Sequence, residues 1–243
     1  MLVRTAIEKS LAPRAYKSSG SKLLWASEVG SCPRKVMFRI LGYKEETEFP
    51  LELREKFQWG NIMEDETARA LKGVYGEQLT TQLPLKTKYW SGKTDMVIGL
   101  ESHQPIIIEH KATSDSGIGY IPRESHVAQI VLYGQLFEEL HNKKPQLLLV
   151  YRTWSHYAEL EVIDKGEFVS VGGQLDGAEY QMDVHINVTK MREYLEGCFG
   201  LQKLPDYKKE DECFFAGKPS CQFFKQCHSE KKEVTRVAGW GLF

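Results

Sequence analysis

A short apolar run at residues 106–111, Ile-Ile-Ile-Glu-His-Lys, most constrains what this chain can fold into. Its β-branched residues favour a buried strand, and side chains alternate along a strand, so Glu109 and Lys111 point to the same face. Residues 89–100 predict the preceding strand, and the polar residues 101–103 predict a hairpin turn centred on Ser102. In that antiparallel register Asp95 lies opposite Glu109. The sequence therefore predicts two carboxylates with a lysine beside them.

Two carboxylates and a lysine suit the hydrolysis of phosphodiester bonds. The carboxylates supply the hard oxygen ligands that Mg²⁺ and Mn²⁺ prefer, and a bound ion polarises the phosphate and lowers the pKa of a water molecule. The lysine can orient that water or stabilise the developing charge. By itself, the triplet Glu109-His110-Lys111 is more often part of an edge strand with solvated charges. His110 alternates to the opposite face, so we interpret it as structural.

Composition and charge exclude some classes of protein. The chain has 243 residues, 42% of them hydrophobic, which is enough for one large domain with a real core. No apolar run approaches the roughly 18 residues of a membrane span, and the first residues lack the apolar stretch of a signal peptide. We therefore expect a cytoplasmic protein without a membrane partner.

A formal net charge of −1 shows no global basicity, so any contact with nucleic acid must come from local patches. Such patches are as typical of solvated faces as of phosphate contacts. Aromatic side chains can stack on unpaired bases, although in a domain of this size most of them belong to the core. The candidate basic residues are Arg34, Lys35, Arg39, Lys86, Lys88 and Lys93, and the candidate aromatic residues are Tyr120, Tyr133 and Trp154.

The chain divides into a joint, one domain and a tail. Residues 1–22 predict a short helix and a Ser/Gly-rich joint, residues 23–228 a single domain, and residues 229–243 a flexible tail with aromatic ends. The tail is typical of a disordered terminus or of a segment that docks on a partner. Hydrophobic periodicity predicts helices beginning at Cys32-Pro33 and at residues 51–71, 125–140 and 182–201, a β region at 79–111, and strands at 146–152 and 157–163. The predicted fold class is α/β, a mixed central sheet flanked by helices.

Two of the predicted helices carry polar residues at helical spacing. Gln129 and Tyr133 lie four residues apart and share one face. Gly60 and Glu64 also share a face, and a small residue beside an acid permits the close approach of a backbone, a metal or a phosphate. Each pair alone is more typical of a solvated surface than of a cleft.

The cysteines are clustered late in the chain. Of the five, Cys213, Cys221 and Cys227 lie within 15 residues, whereas Cys32 and Cys198 stand apart from them. In a cytosolic chain such clustering favours a metal site over a disulfide. We interpret Cys198 as a thiol without a special task.

Taken together, these residues form an ordered series. The series is Gly60-x-x-x-Glu64, Asp95, Glu109-x-Lys111 and Gln129-x-x-x-Tyr133, framed by Cys32-Pro33-Arg34-Lys35 and the three late cysteines. It resembles the RecB-like branch of the PD-(D/E)XK nucleases. It is most similar to the iron–sulfur exonuclease family associated with CRISPR loci, with the nuclease domain of the AddB helicase subunit as a cousin. The resemblance covers nearly all of the chain from about Trp25 to Cys227.

The resemblance implies a PD-(D/E)XK (restriction-endonuclease-like) fold with an αβββαβ core and a helical, cysteine-rich iron–sulfur cap. It implies a Mg²⁺ or Mn²⁺ ion at Asp95 and Glu109, with Lys111 as the catalytic lysine. It also implies that Gln129 and Tyr133 lie near the DNA and the active site.

Glu64 departs from the family pattern, which usually has His at this position. A carboxylate can still ligate Mg²⁺ or Mn²⁺, and it favours harder ions than imidazole does. We therefore expect Glu64 to be a further metal ligand.

The family's cluster uses one cysteine before the nuclease motifs and three after them, which maps onto Cys32, Cys213, Cys221 and Cys227. The seven residues between Cys213 and Cys221 are more than the two usual in the family. Four thiolates suit a four-iron, four-sulfur cluster or a zinc ion equally well, and the resemblance favours the cluster. Such a cluster would join the N-terminal helix to the C-terminal segment as a structural staple.

The expected function is a metal-dependent DNA exonuclease that acts on single-stranded DNA or frayed DNA ends. The expected setting is CRISPR adaptation or phage or host recombination and repair, beside a protein partner such as an integrase or a recombination protein. Family members can assemble into rings, so a homo-oligomer is compatible with the resemblance. Two alternatives stay open, namely a non-catalytic DNA-end-binding adaptor subunit and a structure-specific endonuclease with a zinc staple.

Overall fold

The protein is a mixed α/β fold built on a large sheet with helices on both faces. The structure is a computed structural model that describes residues 22–43, 51–205, 214–215, 218–219, 221 and 223–227. The helices are α1 (Pro33–Ile40), α2 (Leu51–Tyr75), α3 (Glu124–His141) and α4 (Val188–Leu201), with short 3-10 helices at Ala26–Glu28, Gly76–Gln78 and Asp115–Tyr120. The strands are β1 (Leu24–Trp25), β2 (Leu79–Thr81), β3 (Pro84–Lys86), β4 (Trp90–Lys93), β5 (Met96–Ile98), β6 (Ile106–Ala112), β7 (Gln146–Arg152), β8 (Tyr157–Asp164), β9 (Val169–Leu175), β10 (Ala178–Val184), β11 (Phe214–Phe215) and β12 (Lys218–Pro219).

The large sheet has the strand order β10-β9-β8-β7-β6-β5-β2 within the described part of the chain. Strands β6 and β7 are parallel, and α3 makes the crossover between them, because parallel neighbours cannot be joined by a tight turn. The other neighbouring strands of this sheet are antiparallel. This topology brings the carboxyl ends of β6 and β7 to one edge.

Alternation along β6 divides the core into two layers. Ile107 faces the layer formed with α3 and α4, where residues such as Val131 and Leu195 are buried. Ile108 faces the opposite layer, where Ala68 and Leu71 of α2 cover the sheet. Both layers are apolar, so β6 is buried on both faces and carries a nearly continuous hydrophobic run.

The strand predicted at residues 89–100 is divided into two strands, β4 and β5, which belong to different sheets. Strand β4 belongs to a small sheet of order β1-β4-β3, whereas β5 belongs to the large sheet. The chain changes sheets at Thr94 and Asp95, where the Thr94 amide donates to Leu83 and the Asp95 carbonyl accepts from Gln82. The break lets Trp90 enter the core while Asp95 stays beside β6.

The other predicted elements agree in type but differ at some boundaries. Strand β7 is confirmed over the predicted residues, α3 is confirmed to within one residue at each end, and α1 begins at Pro33 as predicted. Helix α2 continues past residue 71 to Tyr75. The prediction of a helix from residue 182 was wrong, because β9 and β10 form an antiparallel hairpin and α4 begins only at Val188.

Two of the predicted segments lie largely or wholly outside the residues that the structure describes. The N-terminal joint, apart from Lys22, and the aromatic tail at residues 229–243 lie outside the described residues. Within the described ranges, the helices are too short or too polar to cross a lipid bilayer.

Candidate active site

The candidate site lies where β5 begins and β6 ends. The last pair of the β5–β6 ladder joins Met96 to Ile108, so Asp95 occupies the next position, across from Glu109. This is the register that a turn centred on Ser102 predicts. The Asp95 side chain accepts a hydrogen bond from the backbone amide that follows Glu109, with 2.8 Å between N and Oδ2. The backbone of β6 therefore fixes one carboxylate against the other.

Lys111 links the carboxylates to α3. Its Nζ atom lies 2.5 Å from Oε1 of Glu109, which is almost fully buried, and donates to Oε1 of Gln129 at 3.0 Å. The Gln129 amide in turn donates to the Tyr133 hydroxyl at 3.1 Å. The alternation of β6 and the spacing of α3 thus bring four of the predicted residues into one continuous chain of contacts.

Glu64 reaches the same site from α2. Its charge acts on both Asp95 and Glu109, and its Oε1 atom accepts a hydrogen bond from the Gln82 side chain at 2.8 Å. The backbone amide of Gln82 also donates to the Asp95 carbonyl at 3.0 Å. Gln82 therefore connects the two acidic residues.

Sequence reasoning missed Gln82. Its backbone is left-handed, with φ of 53°, a conformation that sequence patterns associate with Gly or Asn rather than Gln. The tight turn between β2 and β3 imposes this conformation, and nothing in the local sequence signals it.

The carboxyl groups of Asp95, Glu64 and Glu109 all have raised pKa values. Burial, reinforced by the charge of Glu109, raises the pKa of Asp95 from 3.8 to about 7. Burial and the charge of Asp95 raise the pKa of Glu64 from 4.5 to about 7. Burial also raises the pKa of Glu109, although Lys111 opposes that shift. The site therefore holds more negative charge than its own lysine neutralises.

The donor set fits a divalent cation. Three ionised carboxylates and one ammonium group carry a formal charge of −2. Oε2 of Glu109 is buried and, among the described residues, has no hydrogen-bond donor. As the side chains are placed, Lys111 neutralises Glu109, and no group of three or more His, Cys, Asp or Glu side chains in the described ranges is positioned to hold a metal ion. Metal binding would therefore require the three carboxylates to rearrange around the ion.

Glycine at position 92 makes room for Tyr133. A Cβ atom on Gly92 would lie 2.8 Å from Cε1 of Tyr133 and 2.9 Å from Cβ of Ala26, which is closer than side chains approach. Tyr133 is itself buried, and burial raises the pKa of its hydroxyl. The ring is thus a packed support for Gln129, and it is not available to stack on a base.

Two histidines near the site are held neutral. Burial and the charge of Lys111 lower the pKa of His126 to about 3, and its Nδ1 atom lies 2.9 Å from the Tyr151 hydroxyl. Burial and the charge of Arg152 lower the pKa of His110 to about 4. His110 is buried on the face opposite Lys111, which agrees with its interpretation as structural.

The candidate basic patches differ from one another. Arg39 forms an ion pair with Glu28 and lies 3.9 Å from the ring centre of Trp25, and Arg34 donates to the Pro205 carbonyl at 2.7 Å. These contacts give both arginines a packing role around α1. The lysines of the second patch, Lys86, Lys88 and Lys93, are exposed.

The structure brings both ends of the domain together at the cysteines. Cys32 caps the start of α1, and Cys227 is buried beside Phe38. Burial raises the pKa of the Cys221 thiol, and the neighbouring Cys32 and Cys227 add to the shift. These three predicted ligands are therefore neighbours, whereas Cys213 lies outside the described residues. Cys198 lies on α4, packed against the main core.

The chain matches no protein-family model and no curated protein. It is similar in structure to the crystal structure of SSO0001, with a TM-score of 0.54 and 20% sequence identity. The match covers 94% of this chain and 97% of the other, so it extends over the whole fold. At this identity the similarity shows the fold alone, and that fold is a mixed sheet flanked by helices.

Proposed function

We propose that this protein is a metal-dependent deoxyribonuclease, an exonuclease of the RecB-like PD-(D/E)XK type. One observation carries the proposal, namely that Asp95, Glu109 and Lys111 converge at the edge where β5 begins and β6 ends. Carboxylates are seldom buried unless a charge or hydrogen-bond partner compensates them. Glu109 is buried and Asp95 is partly buried, and one lysine cannot balance both of them together with Glu64, so the cluster is better explained by function than by stability.

The order of elements around the site supports the fold assignment. Helix α2 is followed by β2, β5 and β6, then by α3 and β7, which gives the series αβββαβ when the small sheet is set aside. In this arrangement the acidic residues come from the central hairpin and Gln129 comes from the crossover helix. That is the arrangement expected for a PD-(D/E)XK core.

Asp95, Glu109 and Glu64 are the residues that would hold Mg²⁺ or Mn²⁺. When bound, such an ion polarises the phosphate and lowers the pKa of a water molecule. Lys111 would be the residue that orients the water or stabilises the charge that develops on the phosphate. Gln129 holds the lysine through its amide oxygen, and Tyr133 holds Gln129.

The cysteine-rich cap is proposed to hold a four-iron, four-sulfur cluster, with zinc as the alternative. Cys32, Cys221 and Cys227 come from opposite ends of the chain and act on one another electrostatically, which supports a shared site, although the three thiols would have to move closer together to hold an ion. Stacking of Phe38 on Phe223, with ring centres 5.5 Å apart, supplies an apolar wall. Iron and sulfide analysis after anaerobic purification distinguishes the two metals.

The test of the nuclease is digestion in Mn²⁺ of linear strands labelled at either end, beside a closed single-stranded circle. The wild type should degrade the linear strands and spare the circle, and the labels should reveal the polarity. Asp95→Ala should be inactive, whereas Asp183→Ala, at an exposed aspartate on β10, should keep full activity. Cutting of the circle would instead indicate an endonuclease, and retained activity in Asp95→Ala would contradict the proposed site.

A second candidate function, the DNA-end-binding adaptor, is favoured by the ion pair between Lys111 and Glu109. That pair occupies a carboxylate that a metal would need. An adaptor would bind DNA ends in Mn²⁺ without turnover, and it would bind equally well after Asp95→Ala. The biological setting, CRISPR adaptation or recombination and repair, rests on the resemblance in sequence.

A further inference from the structure

Two solvent-exposed tryptophan side chains contact each other near the candidate active site. Trp59 on α2 and Trp154 in the β7–β8 turn have ring centres 5.1 Å apart at an interplanar angle of 74°. Their exposed fractions are 49% and 75%. Single exposed apolar residues are common on protein surfaces, but two adjoining tryptophans form a patch of the kind that marks a binding site. We call these two residues the tryptophan pair.

The tryptophan pair lies on the α2 side of the sheet, near the end of β7. Trp59 precedes Glu64 by five residues on one helix, which is about 7.5 Å along the helix axis. Lys111 pairs with Tyr151 across the β6–β7 ladder, and Trp154 follows β7 by two residues. Glu109 and Lys111 point to the opposite face of β6, so the pair adjoins the site through Glu64 and the carboxyl ends of the two strands.

Contacts between α2 and β6 keep the two tryptophans at this edge. A Cβ atom on Gly60 would be 3.9 Å from Cβ of Ala112, so the helix passes directly over the residue that follows Lys111. The Arg152 guanidinium donates to the Thr67 hydroxyl at 2.9 Å, which ties the end of β7 to the same helix. The pair is therefore placed by the elements that also place the site.

A groove of about 530 Å³ begins at Trp154 and runs between α2 and the β7–β8 turn. Tyr157, with an exposed fraction of 44%, adds a second aromatic surface to it. The rings of Trp154 and Tyr157 give the groove aromatic faces on which a planar ring can stack. The rest of the lining is largely polar and includes Thr67, Arg152, Thr153, Ser155, His156 and Asp176.

The charges in the groove favour a base over a phosphate. The Arg152 guanidinium donates a hydrogen bond to the Thr67 hydroxyl and lies 3.9 Å from the Glu66 carboxylate. Nδ1 of His156 lies 2.6 Å from Oδ2 of Asp176. Arg152 and the His156 ring thus each have an acidic neighbour, so a phosphate would meet little net attraction, whereas stacking needs only an aromatic face.

We propose that the tryptophan pair is a stacking platform for an unpaired nucleobase on the strand that enters the candidate active site. This inference rests on the proposed nuclease function and deepens it, because the platform selects the substrate. A base inside a duplex has both faces covered by its neighbours and cannot stack on a side chain without leaving the helix. The platform therefore favours single strands and frayed ends over intact duplexes.

The test measures binding in EDTA, where no cleavage can occur, by the fluorescence anisotropy of a labelled strand. The probes are an oligothymidylate of about 12 nucleotides, a strand of equal length with abasic sites throughout, and a blunt duplex. The variants are Trp154→Ala, Trp59→Ala and the conservative Trp154→Phe. Tyr75→Ala is the matched control, because Tyr75 is a partly exposed aromatic residue on the same helix, about 24 Å along the axis from Trp59.

The wild type should bind the oligothymidylate more tightly than the abasic strand or the duplex. Trp154→Ala should weaken oligothymidylate binding roughly 5- to 140-fold, which corresponds to about 1–3 kcal/mol per stacked base, and should leave abasic binding unchanged. Trp59→Ala should act in the same direction. Trp154→Phe should retain most of the affinity, and Tyr75→Ala should match the wild type.

The platform is refuted if the wild type binds the base-bearing and abasic strands equally, or if Trp154→Ala weakens both to the same extent. Equal losses in Tyr75→Ala would also overturn it. The nuclease proposal fails separately, since tryptophan-dependent binding without cleavage in Mn²⁺ would leave the platform standing. Conversely, cleavage with unchanged base preference in Trp154→Ala would leave the nuclease and remove the platform.

Discussion

The buried carboxyl group of Asp95 should make the metal-free protein less stable as the pH rises. Its pKa is raised from 3.8 to about 7, first by burial and then by the charge of Glu109. Below about pH 4 the group is protonated in both the folded and the unfolded chain, so it does not oppose folding. Between the two pKa values the unfolded chain releases this proton while the folded chain retains it, so the free energy of unfolding falls. Above about pH 7 the loss is complete.

The size of the effect follows from the difference of about three between the two pKa values. Each pKa unit corresponds to 1.36 kcal/mol, so ionised Asp95 lowers the free energy of unfolding by about 4 kcal/mol. A typical domain is stable by about 5–15 kcal/mol, so this loss is large. Asp95→Asn removes the charge and keeps an oxygen that can accept the hydrogen bond from the His110 amide.

The assay is urea unfolding in EDTA at about pH 4 and about pH 8, with wild type, Asp95→Asn and the exposed control Asp183→Asn. Between the two pH values, wild type and Asp183→Asn should lose about 4 kcal/mol more stability than Asp95→Asn does. Mn²⁺ at the higher pH should restore the wild type far more than Asp95→Asn. Equal losses of stability in all three proteins would refute the raised pKa of Asp95.

Three further perturbations test other parts of the site. Lys111→Met should abolish cleavage. Because it leaves the buried Glu109 carboxylate without its partner, it should also lower metal-free stability at neutral pH by about 3–5 kcal/mol, measured by urea unfolding. Unchanged stability would contradict the ion pair. Gly92→Ala should push Tyr133 aside, lowering stability by about 1–3 kcal/mol and reducing kcat, whereas Gly73→Ala, which meets open space on α2, should do neither. Cys221→Ala should lose iron and visible absorption and lower the Tm, and full iron retention would argue against a cysteine-bound cluster.

The sequence predicted the central hairpin well because the relevant rules are local. Alternation along β6 places Glu109 and Lys111 on one face, and a turn centred on Ser102 places Asp95 opposite Glu109. Helical spacing in the same way predicts that Gln129 and Tyr133 share a face, and their side chains are hydrogen-bonded. Each of these inferences needs only a period and a turn length.

Contacts that join distant segments could not be predicted in this way. The break between β4 and β5 accompanies the burial of Trp90, whose ring N–H donates to Glu196 on α4, and no turn signal marks it. The β9–β10 hairpin was missed because adjacent glycines, including Gly173, interrupt the apolar alternation of β9. The contact between Trp59 and Trp154 joins residues 95 positions apart, and no local pattern connects them.

The segment at residues 22–43, which contains Cys32, packs against the elements that form the candidate site, although the cysteines do not belong to the acidic cluster. Ala26, in the segment that leads into Cys32, packs beside the position of Gly92 that accommodates Tyr133. Gly30 packs against Ser125 at the start of α3 so closely that a Cβ atom there would lie 2.6 Å from the serine Cα. The segment at residues 22–43 therefore supports α3, the helix that carries the glutamine holding the lysine. The proposed cluster would be anchored in this segment at Cys32, so its loss should lower kcat as well as Tm.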